Sequence, residues 1–183
     1  MSRIYPRTQV PTTNFKFTDQ SNQSLAELKE KANNFVVLLF YRGYHCPKCK
    51  IQLQDFNRHY EAFKEAGIDV YAISTDHLER AEKVVKEWEI NQLPIAYDFP
   101  MLMAEKWGLY LSAGRPDSNE PSEFAEPGLF VVRPDGALYA SAVQTMPFTR
   151  PKAKNLLEGL KYVIENDYPA RGEIQEAEQY VTV

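Results

Sequence analysis

Phe35-Val36-Val37-Leu38-Leu39-Phe40-Tyr41-Arg42-Gly43-Tyr44-His45-Cys46-Pro47-Lys48-Cys49 is the stretch on which the architecture turns. Its first half is apolar without alternation, the pattern of a strand buried on both faces of a sheet. Its second half holds the only two cysteines of the chain, three positions apart. Beyond them Cys49, Leu53, Phe56, Tyr60 and Phe63 step by four and three, which puts them on one face of a helix that Gly67 is placed to end. A Cys-x-x-Cys pair at a strand-to-helix junction is the arrangement of a dithiol redox site.

The elements on either side alternate. Upstream, Asn14 to Asp19 reads as a short strand. Ser24 with Glu27 forms a capping box for a helical turn. Downstream, Ile68 to Ser74 is a strand. Asp76 is placed to cap a helix with Glu79, and Ala81, Val84, Val85 and Trp88 form its apolar face. Pro94 to Tyr97 is a further strand, and Pro100 opens a helix that stops at Gly108. Ser112 to Glu126 is turn-rich and reads as a long loop, either functional or mobile. Strands at 129–132 and 137–143 flank the turn Pro134-Asp135-Gly136, and a last helix runs to about Asn166. This order predicts an α/β sandwich with a mostly parallel sheet that ends in an antiparallel pair.

The chemistry follows from Pro47. Proline is favoured at the first helical position, which makes Cys46 the N-cap. Its sulfur then meets the free N–H groups and the positive end of the helix dipole, and both favour a thiolate. Lys48 and Arg42 add positive charge. Cys49, one turn further in, is the more buried. Cys46 is therefore the candidate nucleophile and Cys49 the resolving thiol. Tyr44 and His45 flank the nucleophile, and His45 is a candidate to tune it. A zinc site would need two further ligands from His45, His59 and His77, and His45 adjoins Cys46 too closely to share an ion with Cys49, so no metal is expected. His59 and His77 read as solvated surface residues.

The 183 residues suit one domain, and 11 Tyr with 10 Phe argue against disorder. A net charge of -4 without a basic block gives a nucleic-acid partner little support, and the longest apolar run is too short for a membrane span. No apolar signal segment follows Met1-Ser2-Arg3, and two cysteines are too few for a secreted disulfide scaffold. A reducing cytoplasm is the expected location, where the pair would cycle rather than staple.

Several further segments carry a family resemblance: Phe17-Thr18-Asp19-Gln20, Val36 to Gly43 leading into Cys46, Val70 to Asp76, Ala104-Glu105-Lys106-Trp107-Gly108, and Glu126-Pro127-Gly128-Leu129 through Gly136. In this order and spacing, from about Phe15 to Val143, the chain resembles the thioredoxin-fold redoxin branch, which holds the alkyl hydroperoxide reductase/thiol-specific antioxidant and peroxiredoxin-like proteins. The resemblance implies a thioredoxin-like three-layer α/β/α sandwich over residues 14–168. Its mixed central sheet would carry an antiparallel C-terminal hairpin, with an extended arm at 1–13 and a charged tail at 169–183. It implies Pro127 as a cis-proline beside the cysteines, and Gln144 to Phe148 as the third wall of the groove. Four positions depart from the family patterns. Leu39 and Gly43 occupy the positions of a proline and a Thr or Ser in typical peroxiredoxins. Pro127 stands where they carry a peroxide-binding arginine, for which Arg42 or Arg150 could substitute. Phe40 stands where thioredoxins carry a buried acid, so the proton acceptor for Cys49 is unassigned.

Three functions follow. The intact Cys-x-x-Cys and Pro127 favour a thiol–disulfide oxidoreductase that cycles Cys46 and Cys49. The flanking segments favour a thiol peroxidase that reduces hydroperoxides through a Cys46 sulfenic acid. The third is a non-catalytic interaction module with a redox-sensitive latch. Either enzyme needs no bound cofactor. It needs a protein or small-molecule disulfide or a hydroperoxide as substrate, and an external thiol reductant of thioredoxin or glutathione type.

Overall fold

All six residues of the apolar run Phe35–Phe40 are buried, and the rest of the fold is arranged on its two sides. The structure is a computed structural model that describes residues 3–176. Residues 177–183 of the expected tail lie outside the described residues. Along the chain come β1 (Asn14–Phe17), β2 (Asn22–Ser24), α1 (Leu25–Lys31), β3 (Phe35–Phe40), α2 (Pro47–Arg58), α3 (Tyr60–Glu65), β4 (Ile68–Ile73) and α4 (Leu78–Glu87). They are followed by β5 (Ile95–Tyr97), α5 (Met101–Lys106), β6 (Leu111–Ala113), β7 (Glu123–Ala125), β8 (Gly128–Val132), β9 (Leu138–Val143) and α6 (Ala153–Asn166).

The main sheet has the order β2-β1-β5-β4-β3-β8-β9. It is mixed, and it corrects the expectation of a mostly parallel sheet. Only β3, β4 and β5 run parallel to one another, while β8, β9, β1 and β2 pair antiparallel. Parallel neighbours need a crossover helix, and only α2–α3 and α4 make crossovers between adjacent strands. Alternation along β3 divides the core. Val37 and Leu39, with Tyr41 beyond the strand, face α2, α3, α4 and α6 on the cysteine side. Val36, Leu38 and Phe40 face α1 and α5 on the other. Each such side chain taken from water contributes about 1.5–3 kcal/mol. The β8–β9 turn closes as its Pro-Asp-Gly chemistry predicts, with Ala137 N–H donating to Asp135 Oδ1 at 2.9 Å.

Three local readings are corrected. The helix after the cysteines breaks at His59 (φ −101°, ψ 4°). The His59 ring Nδ1 takes the Asp55 carbonyl at 2.8 Å, the acceptor its own amide would use in a continued helix. α3 then ends where Gly67, at φ +70°, allows the left-handed step into β4. The second correction concerns the long loop. Its two ends pair as the ribbon β6–β7, with Ser112 opposite Phe124. Ribbons of three-residue strands carry too little periodicity to be separated from turns. Third, Asp76 does not cap α4. The N-cap is His77, without a side-chain bond, and Asp76 turns inward.

The first described residues lie along the start of β9, with Arg7 N–H donating to the Leu138 carbonyl at 2.8 Å and Leu138 N–H to the Thr8 carbonyl at 2.9 Å. Among the described residues no helix is long and apolar enough to cross a membrane. Phe40 packs against Phe99, Trp107 and Phe130 with ring centroids 5.2, 5.7 and 5.6 Å away. Phe40→Ala is therefore expected to cost about 3–5 kcal/mol in urea unfolding, because the three facing rings cannot all close on the void.

Candidate active site

Cys46 is the N-cap of α2 and Pro47 its first helical residue, so the free amides of the first turn point at the cysteine. Cys49 N–H reaches the Cys46 Sγ at 3.3 Å, and the two Sγ atoms are 2.8 Å apart with both thiols free. Cys46 is 3% exposed and Cys49 0%. The hydrogen bond from the Cys49 thiol does most to lower the Cys46 pKa. Burial opposes it, the Cys49 amide and the charges of Arg42 and Arg150 assist, and the result is about 6. The Cys49 pKa is pushed up, first by burial and then by donating to Cys46. At neutral pH the pair holds a thiolate at Cys46 and a thiol at Cys49.

Two arginines frame this thiolate. The Arg42 guanidinium lies 4.7 Å from the Phe124 ring centroid, with Glu120 at 3.5 Å and Glu126 at 3.4 Å. The ribbon β6–β7 and its loop supply all three partners, so the segment read as a loop is what covers the site. Arg150 donates through Nη1 to the Met146 carbonyl at 2.8 Å, while its Nε and Nη2 are buried with no partner among the described residues. α2 holds the segment that carries Arg150. Asp55 Oδ2 accepts Ala153 N–H at 2.8 Å, acting as a remote cap for α6, and Gln52 Nε2 reaches the Pro151 carbonyl at 3.5 Å.

The other candidate residues take varied positions. Lys48 is exposed on the outer side of the first turn, and the cations that act on Cys46 are Arg42 and Arg150. His45 is half-buried against Phe124, ring centroids 4.8 Å apart, with Arg80 Nη2 3.4 Å from its Nδ1. Burial, then the charges of Arg42 and Arg80, lower its pKa to about 4, so it is neutral at pH 7 and lends Cys46 no charge. Tyr44 stacks on Trp88 at 5.8 Å and its hydroxyl bonds Glu87. The Glu126–Pro127 bond is trans, since no described peptide bond is cis, and this corrects the cis expectation. The chain stays extended from β7 into β8, with Glu126 N–H donating to the Tyr110 carbonyl at 2.7 Å, and an extended passage asks for no departure from the ordinary trans form. Of the expected third wall, Met146 and Phe148 are exposed. Among the described residues, no cluster of His, Cys, Asp and Glu is arranged to hold a metal ion.

The sequence reading missed Asp76, Arg80, Glu120, Phe124 and Glu126. It also looked for a proton acceptor at position 40, which is on the wrong face. Phe40 belongs to the opposite layer, and the residues at the end of β3 that face the cysteines are Leu39 and Tyr41. Burial, then the negative charges of Asp76 and Cys49, raise the pKa of the Tyr41 hydroxyl well above the usual tyrosine value.

The AhpC/TSA family profile matches residues 6–141. The chain belongs to the AhpC/TSA family. It is 27% identical over 143 residues to alkyl hydroperoxide reductase C of Amphibacillus xylanus, covering 77% of this chain and 72% of that one. It is 29% identical over 149 residues to the alkyl hydroperoxide reductase C of Escherichia coli, covering 80% and 76%. Among solved structures, a peroxiredoxin-like protein from Aquifex aeolicus superposes with a TM-score of 0.72 at 15% identity over 89% of this chain and 90% of that one. AhpC from Enterococcus faecalis gives 0.70 at 18% identity over 91% and 98%. These likenesses show the thioredoxin-like fold for this AhpC/TSA chain.

Alkylation of reduced protein by iodoacetamide, read by peptide mass, is expected to modify Cys46 before Cys49, at a rate that climbs with pH through a midpoint near 6. Cys49→Ala removes the hydrogen bond to the thiolate and should raise that midpoint by about one to two units, since such a bond is worth about 1.5–3 kcal/mol.

Proposed function

We propose that this AhpC/TSA protein is a thiol-dependent peroxidase in which Cys46 is the nucleophile and Cys49 the resolving thiol. One observation carries the reading. A buried thiolate of lowered pKa has beside it an arginine, Arg150, two of whose nitrogens have no partner among the described residues. A hydroperoxide is small enough to enter such a site, and its oxygens can accept those N–H groups. A protein disulfide is far larger, and Cys46 is only 3% exposed. The relatives named alkyl hydroperoxide reductase C support the same reading.

The Cys46 thiolate attacks the terminal oxygen of the hydroperoxide, and the O–O bond breaks. The departing alkoxide takes a proton and leaves as the alcohol, with Cys46 now a sulfenic acid. Arg150 and Arg42 offset the negative charge that develops on the leaving oxygen. Cys49 then loses its proton and attacks the Cys46 sulfur, and the S–O bond breaks to release water. With the sulfurs 2.8 Å apart, this resolving step needs no partner subunit. An external thiol of thioredoxin or glutathione type supplies two electrons to reopen the disulfide in a reducing compartment. General disulfide exchange shares only the second half of this cycle, and with Pro127 trans it keeps the Cys-x-x-Cys alone in its favour.

Stopped-flow mixing of reduced protein with hydrogen peroxide tests the reading, with Trp88, stacked on Tyr44 beside the nucleophile, as reporter. The expected rate is orders of magnitude above that of a free thiol and is abolished in Cys46→Ser. A rate equal to that of free cysteine would leave disulfide exchange in its place. Arg150→Met should slow the reaction about 10²-fold, the usual cost of removing one donor aimed at developing charge. Cys49→Ser should keep the first oxidation and lose turnover.

A further inference from the structure

We propose that Asp76 is the positioning residue of the nucleophile loop: its carboxylate fixes the Gly43–Cys46 turn and, through Arg80, ties that turn to the segment covering the site. The inference rests on Cys46 being the reactive thiol. Asp76 lies on the connection between β4 and α4, and its side chain is 0% exposed. Oδ2 accepts the Tyr44 amide at 2.6 Å, and Oδ1 accepts Arg80 Nε at 2.9 Å. Arg80 in turn donates through Nη2 to the Asn119 carbonyl at 3.1 Å, at the tip of the ribbon loop. The turn that Asp76 grips ends at the nucleophile, with Cys46 N–H donating to the Gly43 carbonyl at 3.1 Å.

Gly43 shows how close this grip is. Its φ is +132°, and a Cβ built there would lie 2.6 Å from Asp76 Oδ2. The carboxylate thus occupies the space that a side chain at position 43 would take, and glycine leaves the room. Asp76 is itself held through its own backbone, its N–H donating to Ser74 Oγ at 3.0 Å and its carbonyl accepting Asp98 N–H at 2.8 Å. Burying a carboxylate costs several kcal/mol unless it is paired and hydrogen-bonded, so an apolar residue would fill this position more cheaply if filling were all it did. The groups that act on Asp76 are Arg80, the Tyr44 amide and His77, with the Tyr41 hydroxyl nearby. None of them is a reacting atom, so Asp76 acts through the loop.

The test measures the midpoint of the pH profile for alkylation of Cys46, together with the rate of its oxidation by hydrogen peroxide, in Asp76→Ala, Asp76→Asn and Gly43→Ala. In Asp76→Ala the loop loses its anchor and Cys46 leaves its place at the α2 N-terminus. The midpoint should rise and the peroxide rate fall about tenfold or more. Loss of an anion alone would lower the midpoint, so the sign separates positioning from a purely electrostatic effect. Asparagine keeps an oxygen for the Tyr44 amide and should recover most of the loss. Gly43→Ala displaces the carboxylate from the opposite side and should raise the midpoint in the same direction, which keeps the test open if Asp76→Ala does not fold. A lower melting temperature with an unchanged midpoint in the variants that fold would overturn the inference. Alkylation needs no peroxide, so a wild-type protein with the low midpoint but a slow peroxide reaction would overturn the peroxidase reading and leave this one standing.

Discussion

The rest of the site depends on how a thiolate is held almost out of water. A buried anion is costly, and at Cys46 the compensation is local and directional: the Cys49 thiol, the Cys49 amide and the open first turn of α2 all face one sulfur. Pro47 makes this possible by starting the helix at the residue after Cys46. The same geometry sets the two pKa values apart. The hydrogen bond that stabilises the thiolate of one cysteine holds the proton on the other, so the pair is divided into a thiolate and a thiol.

Long-range charge completes what the helix begins, and it comes from distant parts of the chain. Arg42 follows β3, Arg150 precedes α6, and the acids that restrain Arg42 sit on or beside the ribbon β6–β7. Arg42 is largely spent on Glu120, Glu126 and the Phe124 face. Arg150 has two nitrogens without a partner among the described residues, and α2 itself fixes its segment through Asp55 and Gln52. One helix therefore carries Cys46 at its N-terminus and, through Asp55 and Gln52, holds the segment that bears Arg150.

How far the sequence was legible tracks how local each feature is. β3, the N-cap role of Cys46, the Ser24–Glu27 capping box and the Pro134-Asp135-Gly136 turn are each set within a few residues, and each was read directly. The break at His59 was not, because it depends on a ring nitrogen competing for a helical carbonyl rather than on proline or glycine. The ribbon β6–β7 was hidden by its short strands. Asp76 carried a misleading local signal: three residues before a glutamate it reads as a helix cap, and only the fold shows it bonded to an amide 32 residues upstream. The search for an acid at position 40 failed for a similar reason, since one step along a strand moves a side chain to the other layer.

The three departures from the peroxiredoxin pattern can be read together. A proline, a hydroxyl and an arginine near the nucleophile are absent at positions 39, 43 and 127, yet the work of fixing a turn and presenting cationic donors is still done. Gly43 gives up a side chain, and the Asp76 carboxylate from the next strand's end enters the vacated space and holds the Tyr44 amide. Pro127 presents no charge, and Arg150 from the far side of the sheet's last strand stands with open nitrogens by the thiolate. A family pattern records one way of meeting these demands. What the proposed chemistry asks for is an oriented sulfur at a helix N-terminus with cationic donors near it, and residues distant in the chain can meet both demands once the fold brings them together.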